Sequence, residues 1–179
     1  MLIGLDVFEA IQVRKSVRAY DSKPIPKEIL MKILEAGRIS PSAANWQPWH
    51  FIVVTDPEKR EILSKWIWTR FLRESPVVIV GCGDKKRSPE FHVIDVSIAL
   101  QSMVLMATAE GIGTCWVGGF KEDVVRELCK IPENFEVVCL IAMGYPREKF
   151  SLSRIIAGGK RRKAISEVVS FDEFGKKDA

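Results

Sequence analysis

Histidine is nearly absent from this chain: His50 and His92 are the only two, far apart in sequence, so no imidazole set stands at metal-ligand spacing. The four cysteines, Cys82, Cys115, Cys129 and Cys139, stand singly without a CxxC pair, which excludes the usual zinc and iron–sulfur motifs. Lone thiols fit a reducing cytoplasm better than a disulfide framework. A secretory leader is not expected, because Asp6 and Glu9 interrupt the opening segment. Neither GxGxxG nor a P-loop occurs. No sign of charge dominates either: 27 Lys and Arg against 23 Asp and Glu leave a net charge of +4, a mild bias that suits an anionic ligand.

Long uninterrupted apolar runs are missing as well. The longest candidate, Phe91 to Glu110, contains Asp95, Ser97, Gln101 and Ser102. At ~1.5 Å per residue it would reach about 30 Å, the width of a bilayer core. An acid and an amide at that depth cost roughly several kcal/mol, so a helix buried within a globular protein is the cheaper arrangement, and no membrane partner is expected.

What the sequence does hold is enough apolar residues, 47% of the chain, to build a core over 179 residues, read as one domain spanning 1–179. Val7, Ile11 and Arg14 belong to a short amphipathic helix ending near Ser16, followed by an extended piece to Pro24. Ile29, Leu30, Ile33, Leu34 and Ile39 recur at helical spacing after Pro26, which predicts a helix from Lys27 to Ile39. Ser40 to Pro48 is a loop punctuated by two prolines. Phe51 to Thr55 reads as a strand, and Glu58 to Arg73 as one helix with Asp56 as N-cap and Ile62, Trp66 and Arg70 on one side. A central strand Val77–Val80 follows, then the charged segment Asp84–Glu90 and the long helix stopped by Gly111. Gly113–Val117 reads as a strand, Glu122–Lys130 as a helix and Val137–Met143 as a strand, with a Gly-rich basic loop from Ser151 to Lys163 and an apolar tail at Val168, Val169 and Phe171. This alternation, without internal repeats, places the fold among α/β or α+β layered domains.

Four constellations could carry chemistry. Arg14-Lys15-Ser16-Val17-Arg18 sets two guanidiniums around a hydroxyl where the chain leaves a helix, which matches a phosphate, although a solvated basic edge has the same spacing. Pro41-Ser42-Ala43-Ala44-Asn45-Trp46-Gln47-Pro48 leaves room for a planar ligand, with Asn45 and Gln47 offering donors and acceptors; an ordinary connecting loop has this composition too. Around Gly111-Ile112-Gly113 and Val117-Gly118-Gly119 the backbone can approach a ring closely, as it can in any glycine-rich turn. Gly158-Gly159-Lys160-Arg161-Arg162-Lys163 is the densest charge, a pattern shared by nucleic-acid patches and solvated tails. With a modest net charge and neither a helix-turn-helix nor an aromatic-studded sheet, nucleic acid is not expected.

In their order these segments give the chain a clear likeness. From about Phe8 to Phe171 it resembles the FMN-dependent nitroreductases, through Arg14-x-Ser16-x-Arg18, Pro41-Ser42-x-x-Asn45-x-Gln47-Pro48-Trp49, Asp95 opening a long helix into Gly111-Ile112-Gly113-Thr114-Cys115-Trp116, and Lys160-x-Arg162. The resemblance implies an α+β fold, a three-layer sandwich around a mixed central sheet, and a homodimer holding two FMN molecules at its interface. Arg14, Lys15, Ser16, Arg18, Lys160 and Arg162 would hold the phosphate and pyrimidine side. Pro41, Ser42, Ala43, Asn45 and Gln47 would come from the partner chain, and Val117, Gly118 and Gly119 would present backbone near the flavin N5. The helix from Phe91 would lie in the dimer core.

The implied activity is hydride transfer from NADH or NADPH through the flavin to a small acceptor, a nitroaromatic, quinone or flavin, by a ping-pong route. Cofactor chemistry of this kind requires no catalytic side chain. Alternatives on the same fold are reductive dehalogenation, enoyl-type reduction, flavin fragmentation, or flavin storage and sensing without turnover. The chain is shorter than the members that carry an inserted helical excursion over the flavin before the later strands, and it has no clear match to the polar and basic phosphate contacts that longer members place ahead of the second strand. Trp66, Trp68 and Arg70 stand in the neighbouring region and either border the substrate site or, as tryptophans more often do, pack inside. His50 and His92 are read as surface or satisfied packing residues, and Cys115, beside the proposed flavin loop, as a small buried apolar residue before a redox one.

Overall fold

A computed structural model describes residues 5–147 and 162–177, which fall into two compact units, one ending at Arg147 and a small C-terminal one. The first begins with helix α1 (Val7–Val13), where Asp6 and Glu9 form a reciprocal capping box. It continues through α2 (Lys27–Arg38), β1 (Trp49–Val54), α3 (Pro57–Leu63), β2 (Val77–Asp84), α4 (His92–Ala109), β3 (Gly113–Val117), α5 (Glu122–Cys129) and β4 (Phe135–Gly144). Among the described residues of the C-terminal unit is one turn of helix, α6 (Ile165–Val168).

The sheet runs β1-β2-β4-β3, and each of its strand pairs is antiparallel. The resemblance implies a mixed sheet; among the described residues the parallel pairing is the isolated bridge Ser16 to Thr114, and the sheet itself is antiparallel. Between β2 and β4 the register shifts at Gly81/Cys82. Val138 is the extra residue there, so Val137 and Leu140 face one side while Cys139 and Ile141 face the other.

Both faces of the sheet are covered, which makes three layers. On one, Val78, Val80, Leu140 and Ala142 pack with Leu63, Leu72 and Val125 from the α3 and α5 side. On the other, Val77, Ile79, Ile141 and Met143 meet α2 and α4. Helix α4 buries Val96, Ala99, Leu100, Met103, Val104 and Ala107, the stripe that a 3.6-residue period directs to one side. Gly37 lets α2 approach it, since a Cβ there would stand 2.1 Å from Met103 Cε. Gly111, at φ +74, ends the helix as the sequence indicated.

The single helix expected from Glu58 to Arg73 is broken. It stops at Leu63, with Asp56 capping its start through the Glu58 and Lys59 amides, and only a 3₁₀ turn resumes at Arg70–Arg73. Ser64 Oγ turns back to Glu61 O at 2.8 Å, and the β-branched and aromatic run Trp66-Ile67-Trp68 supports a helix poorly. The Arg60 guanidinium clasps the returning chain at Arg73 O, 3.0 Å, and Ser75 O, 2.7 Å. As a result Trp66 and Trp68 are 39% and 71% exposed, not packed inside.

Candidate functional site

After α1 the chain lies along the start of β3. The Val17 amide donates to Thr114 O at 2.8 Å, and Tyr20, 1% exposed, sends its hydroxyl to Val17 O at 2.6 Å. Burial raises that phenol's pKa well above its usual value. Asp21 N to Tyr145 O and Arg147 N to Ala19 O complete the docking, and Arg147 forms an ion pair with Glu74.

This fixed backbone aims its cations. Burial pushes the Cys115 thiol pKa up, while the Arg18 charge, a hydrogen bond from Ser16, and the Arg14 charge oppose the rise. Arg14 is half-buried; Lys15, Ser16 and Arg18 are exposed. Among the described residues no carboxylate pairs with Arg14, Lys15 or Arg18. Beside them Thr114 Oγ1 is buried without a hydrogen-bond partner among the described residues.

Strand β3 leads to Gly118 and Gly119, both exposed, where a Cβ would meet nothing within 4 Å. By contrast, a Cβ at Gly113 would come within 2.8 Å of Val17 Cγ2. The buried glycine therefore serves packing, and the open pair leaves backbone available for close approach of a ligand. Val117 is buried, its carbonyl accepting from the Cys139 thiol at 3.2 Å.

The Pro41–Gln47 loop is ordered by its own polar groups. Ser42 Oγ accepts from Gln47 N at 2.9 Å, and Gln47 Nε2 lies 3.2 Å from both Asn45 O and Asn45 Oδ1. Much of the Gln47 carboxamide is thus spent inside the loop, and Asn45 holds the more open edge. Ala44, Asn45 and Gln47 all have positive φ, at 45, 55 and 50°. Three such residues without glycine mark a held conformation, of a kind that collects at functional sites.

Sequence patterns did not single out Asp95 as a site residue. It is 3% exposed, and its Oδ1 accepts from Ala43 N at 3.0 Å while Ser88 Oγ lies 3.4 Å from Oδ2. The signal available in the sequence was an acid set inside the apolar run of α4. His92 is also buried, one ring nitrogen 2.8 Å from Ser88 O and the other 3.0 Å from Glu136 Oε2. Burial lowers its pKa, but the bonds to Glu136 and Ser88 outweigh that and leave it raised above 6.5.

These segments meet unequally within one chain. Arg14–Arg18 and Val117–Gly119 share the β3 edge, whereas the Pro41–Gln47 loop enters β1 at the opposite edge. The registers put Thr114 level with Val77 and Trp49 level with Gly83. At ~3.3 Å per residue and ~4.8 Å between strands, the two places lie roughly 20 Å apart along the sheet and about 14 Å across it. One planar tricycle does not span them. Lys160 lies outside the described residues, and Arg162 is exposed in the C-terminal unit.

The sequence profile described as the Nitroreductase family matches residues 11–78 and 64–145 of this chain. A protein of Methanothermobacter thermautotrophicus with the provisional double name NADH dehydrogenase/NAD(P)H nitroreductase is 37% identical over 151 residues, covering 80% of this chain and 79% of its own. Two solved structures are similar in fold and sequence. A nitroreductase family protein from Clostridium difficile 630 has a TM-score of 0.79 at 32% identity, covering 92% of this chain and 97% of its own. An FMN-dependent nitroreductase from Clostridium difficile R20291 has a TM-score of 0.77 at 30% identity, covering 92% and 98%.

Proposed function

The chain belongs to the nitroreductase family, and from that premise we propose that it is an FMN-dependent NAD(P)H oxidoreductase, a homodimer of single nitroreductase-like domains with its flavins between the subunits. The observation that carries this reading is the docking of Arg14–Arg18 at the start of β3, which sets cations without carboxylate partners among the described residues on the strand that leads to the open Gly118–Gly119 backbone. The donor set fits FMN: guanidiniums for a phosphate, a hydroxyl, backbone free of Cβ, and an amide edge at Asn45.

The two-edged arrangement supports a second copy of the chain, because the Pro41–Gln47 loop of one subunit has to meet the Arg14 segment of another. So does the surface of α4, where Val93, Ile94, Ile98, Gln101 and Leu105 line an open groove of about 500 Å³ in the single chain. Beside it, α1 leaves Val7, Phe8 and Ile11 exposed. An apolar face of this kind marks an interaction surface.

In this site Arg14, Lys15, Ser16 and Arg18 hold the phosphate and pyrimidine side of FMN, with Lys160 and Arg162 as further cations. Their positive charge favours the reduced, anionic form. Pro41, Ser42, Ala43, Asn45 and Gln47 of the other subunit frame the ring, and Val117, Gly118 and Gly119 offer backbone against it. Bound there, FMN supplies the hydride chemistry between NADH or NADPH and a small acceptor such as a nitroaromatic, a quinone or a free flavin. The residues' part is to bind, orient and bias; none has to act as nucleophile. A cytoplasmic location goes with this reading.

The test is a stopped-flow panel on the purified yellow protein, reducing with each nicotinamide and reoxidising with several acceptors. Bleaching by NADH or NADPH and rapid return of colour with a quinone or nitroaromatic are expected. A colourless protein that takes up no added FMN contradicts the reading, as does unchanged FMN affinity in the Arg14→Ala/Arg18→Ala double variant.

A further inference from the structure

We infer that Asp95 is a positioning residue, a buried carboxylate on α4 that clamps the Pro41–Gln47 loop in the conformation that receives the flavin. The inference rests on the proposed function and goes beyond it, since Asp95 itself lies behind the loop. The loop's own bonds, Asn45 N to Ser42 O, Trp46 N to Ala43 O and Gln47 N to Ser42 Oγ, are all internal. They shape the turn but do not fix it to the body of the protein. At the loop's far end the Asp84 amide of β2 donates to Pro48 O at 2.8 Å; α4 holds its near part at two points, Ser40 Oγ donating to Ser102 Oγ at 2.9 Å and Ala43 N to Asp95 Oδ1 at 3.0 Å. Residues 95 and 102 are two helical turns apart and so share one face of α4.

Of the two points, the carboxylate holds more firmly. It is 3% exposed, and no lysine or arginine pairs with it among the described residues. A charge buried in this way depends on the hydrogen bonds it receives, here from the Ala43 amide, Ser88 Oγ and the favourable field in the first turn of α4. Ser88 is held in turn, its carbonyl receiving the His92 amide at 3.1 Å and facing the His92 ring, which Glu136 fixes from β4. A strand-anchored chain of contacts therefore ends on Ala43, immediately before the positive-φ pair Ala44 and Asn45. Without the acceptor at 95 the Ala43 amide turns to water, and Ala44 and Asn45 relax to ordinary φ, out of the shape that frames the ring.

The experiment compares FMN release from as-purified wild type, Asp95→Asn and Asp95→Ala, followed by flavin fluorescence on dilution, with thermal midpoints alongside. Asn keeps an acceptor oxygen facing Ala43; Ala does not. Release at least about tenfold faster in Asp95→Ala, with Asp95→Asn within about threefold of wild type, is the expected result. Release from Asp95→Ala within twofold of wild type overturns the inference, as does an Asn variant as leaky as the Ala one. If Asp95→Ala fails to fold, amide exchange in wild type decides. The Ala43 amide should exchange at least about tenfold more slowly than that of Ala44, and equal rates overturn the clamp. A wild type that holds no flavin refutes the proposed function instead, and the amide comparison remains readable without cofactor.

Discussion

Adding a methyl group at selected glycines separates packing from ligand approach. At Gly118 and Gly119 a Cβ meets nothing within 4 Å, and neither residue has the positive φ that a side chain resists. Alanine there should leave stability unchanged or raise it by about 0.4–1 kcal/mol through a stiffer unfolded chain. If these backbones lie against the flavin, each methyl displaces the ring from its hydrogen bonds. Losing one such partner costs about 1–3 kcal/mol, or roughly 5- to 150-fold in Kd. At Gly113 the same methyl stands 2.8 Å from Val17 Cγ2 and 2.9 Å from Pro146 Cγ, an overpacking that costs about 1–3 kcal/mol of stability. Urea denaturation of the apo-proteins together with FMN fluorescence titration measures both effects. Gly118→Ala and Gly119→Ala variants of full stability and wild-type FMN affinity would refute the placement of this turn at the ring.

Three further outcomes follow from the scaffold. Asp56→Ala removes the cap of α3 and should cost ~1 kcal/mol in chemical denaturation, with little change in flavin content. Ser75→Ala deletes a buried hydroxyl that lies 2.7 Å from Val77 O, 2.9 Å from Met143 O and 3.0 Å from the Met143 amide it accepts from. Its loss should destabilise the fold by about 1–3 kcal/mol, read as a lower urea midpoint at unchanged slope. The raised pKa of His92 gives the folded state a contribution that is full below the unfolded value near 6.5 and fades as pH rises through the higher folded value. Stability measured from about pH 6 to about pH 8 should therefore fall through this term, and Glu136→Gln should flatten the slope.

Much of the scaffold could be read from periodicity, because its elements are long or sharply bounded. Helices α2, α4 and α5 and strand β3 lie within a residue or two of their expected limits, each bounded by a glycine, a proline or a charged turn. The stretch from Glu58 to Arg73 misled, because its apolar spacing is helical while its break depends on the Arg60 guanidinium reaching carbonyls 13 and 15 residues on. Strand β4 starts at Phe135, two residues earlier than the apolar run suggested, since its first part pairs with Gly83 and Asp84 through half-polar positions.

In the candidate site the cations and glycines were legible as residue types, but their relation was not. Arg14–Arg18 meets Thr114 through backbone bonds that no side-chain pattern records. Of the left-handed residues Ala44, Asn45 and Gln47 only Asn45 is of a type that adopts this conformation readily, and the buried acid behind them reads in sequence as one polar interruption of an apolar helix.

The claim that one flavin site is assembled from two chains is tested most directly by mixing damaged subunits. An Arg14→Ala/Arg18→Ala chain and a Ser42→Ala/Asn45→Ala chain, each weakened in FMN binding as a homodimer, are co-refolded and the mixed dimer isolated by two affinity tags. The account predicts that mixed dimers regain one tightly bound FMN per pair of chains, because one of their two sites contains only wild-type residues. Mixed dimers that bind FMN no better than either parent would contradict it.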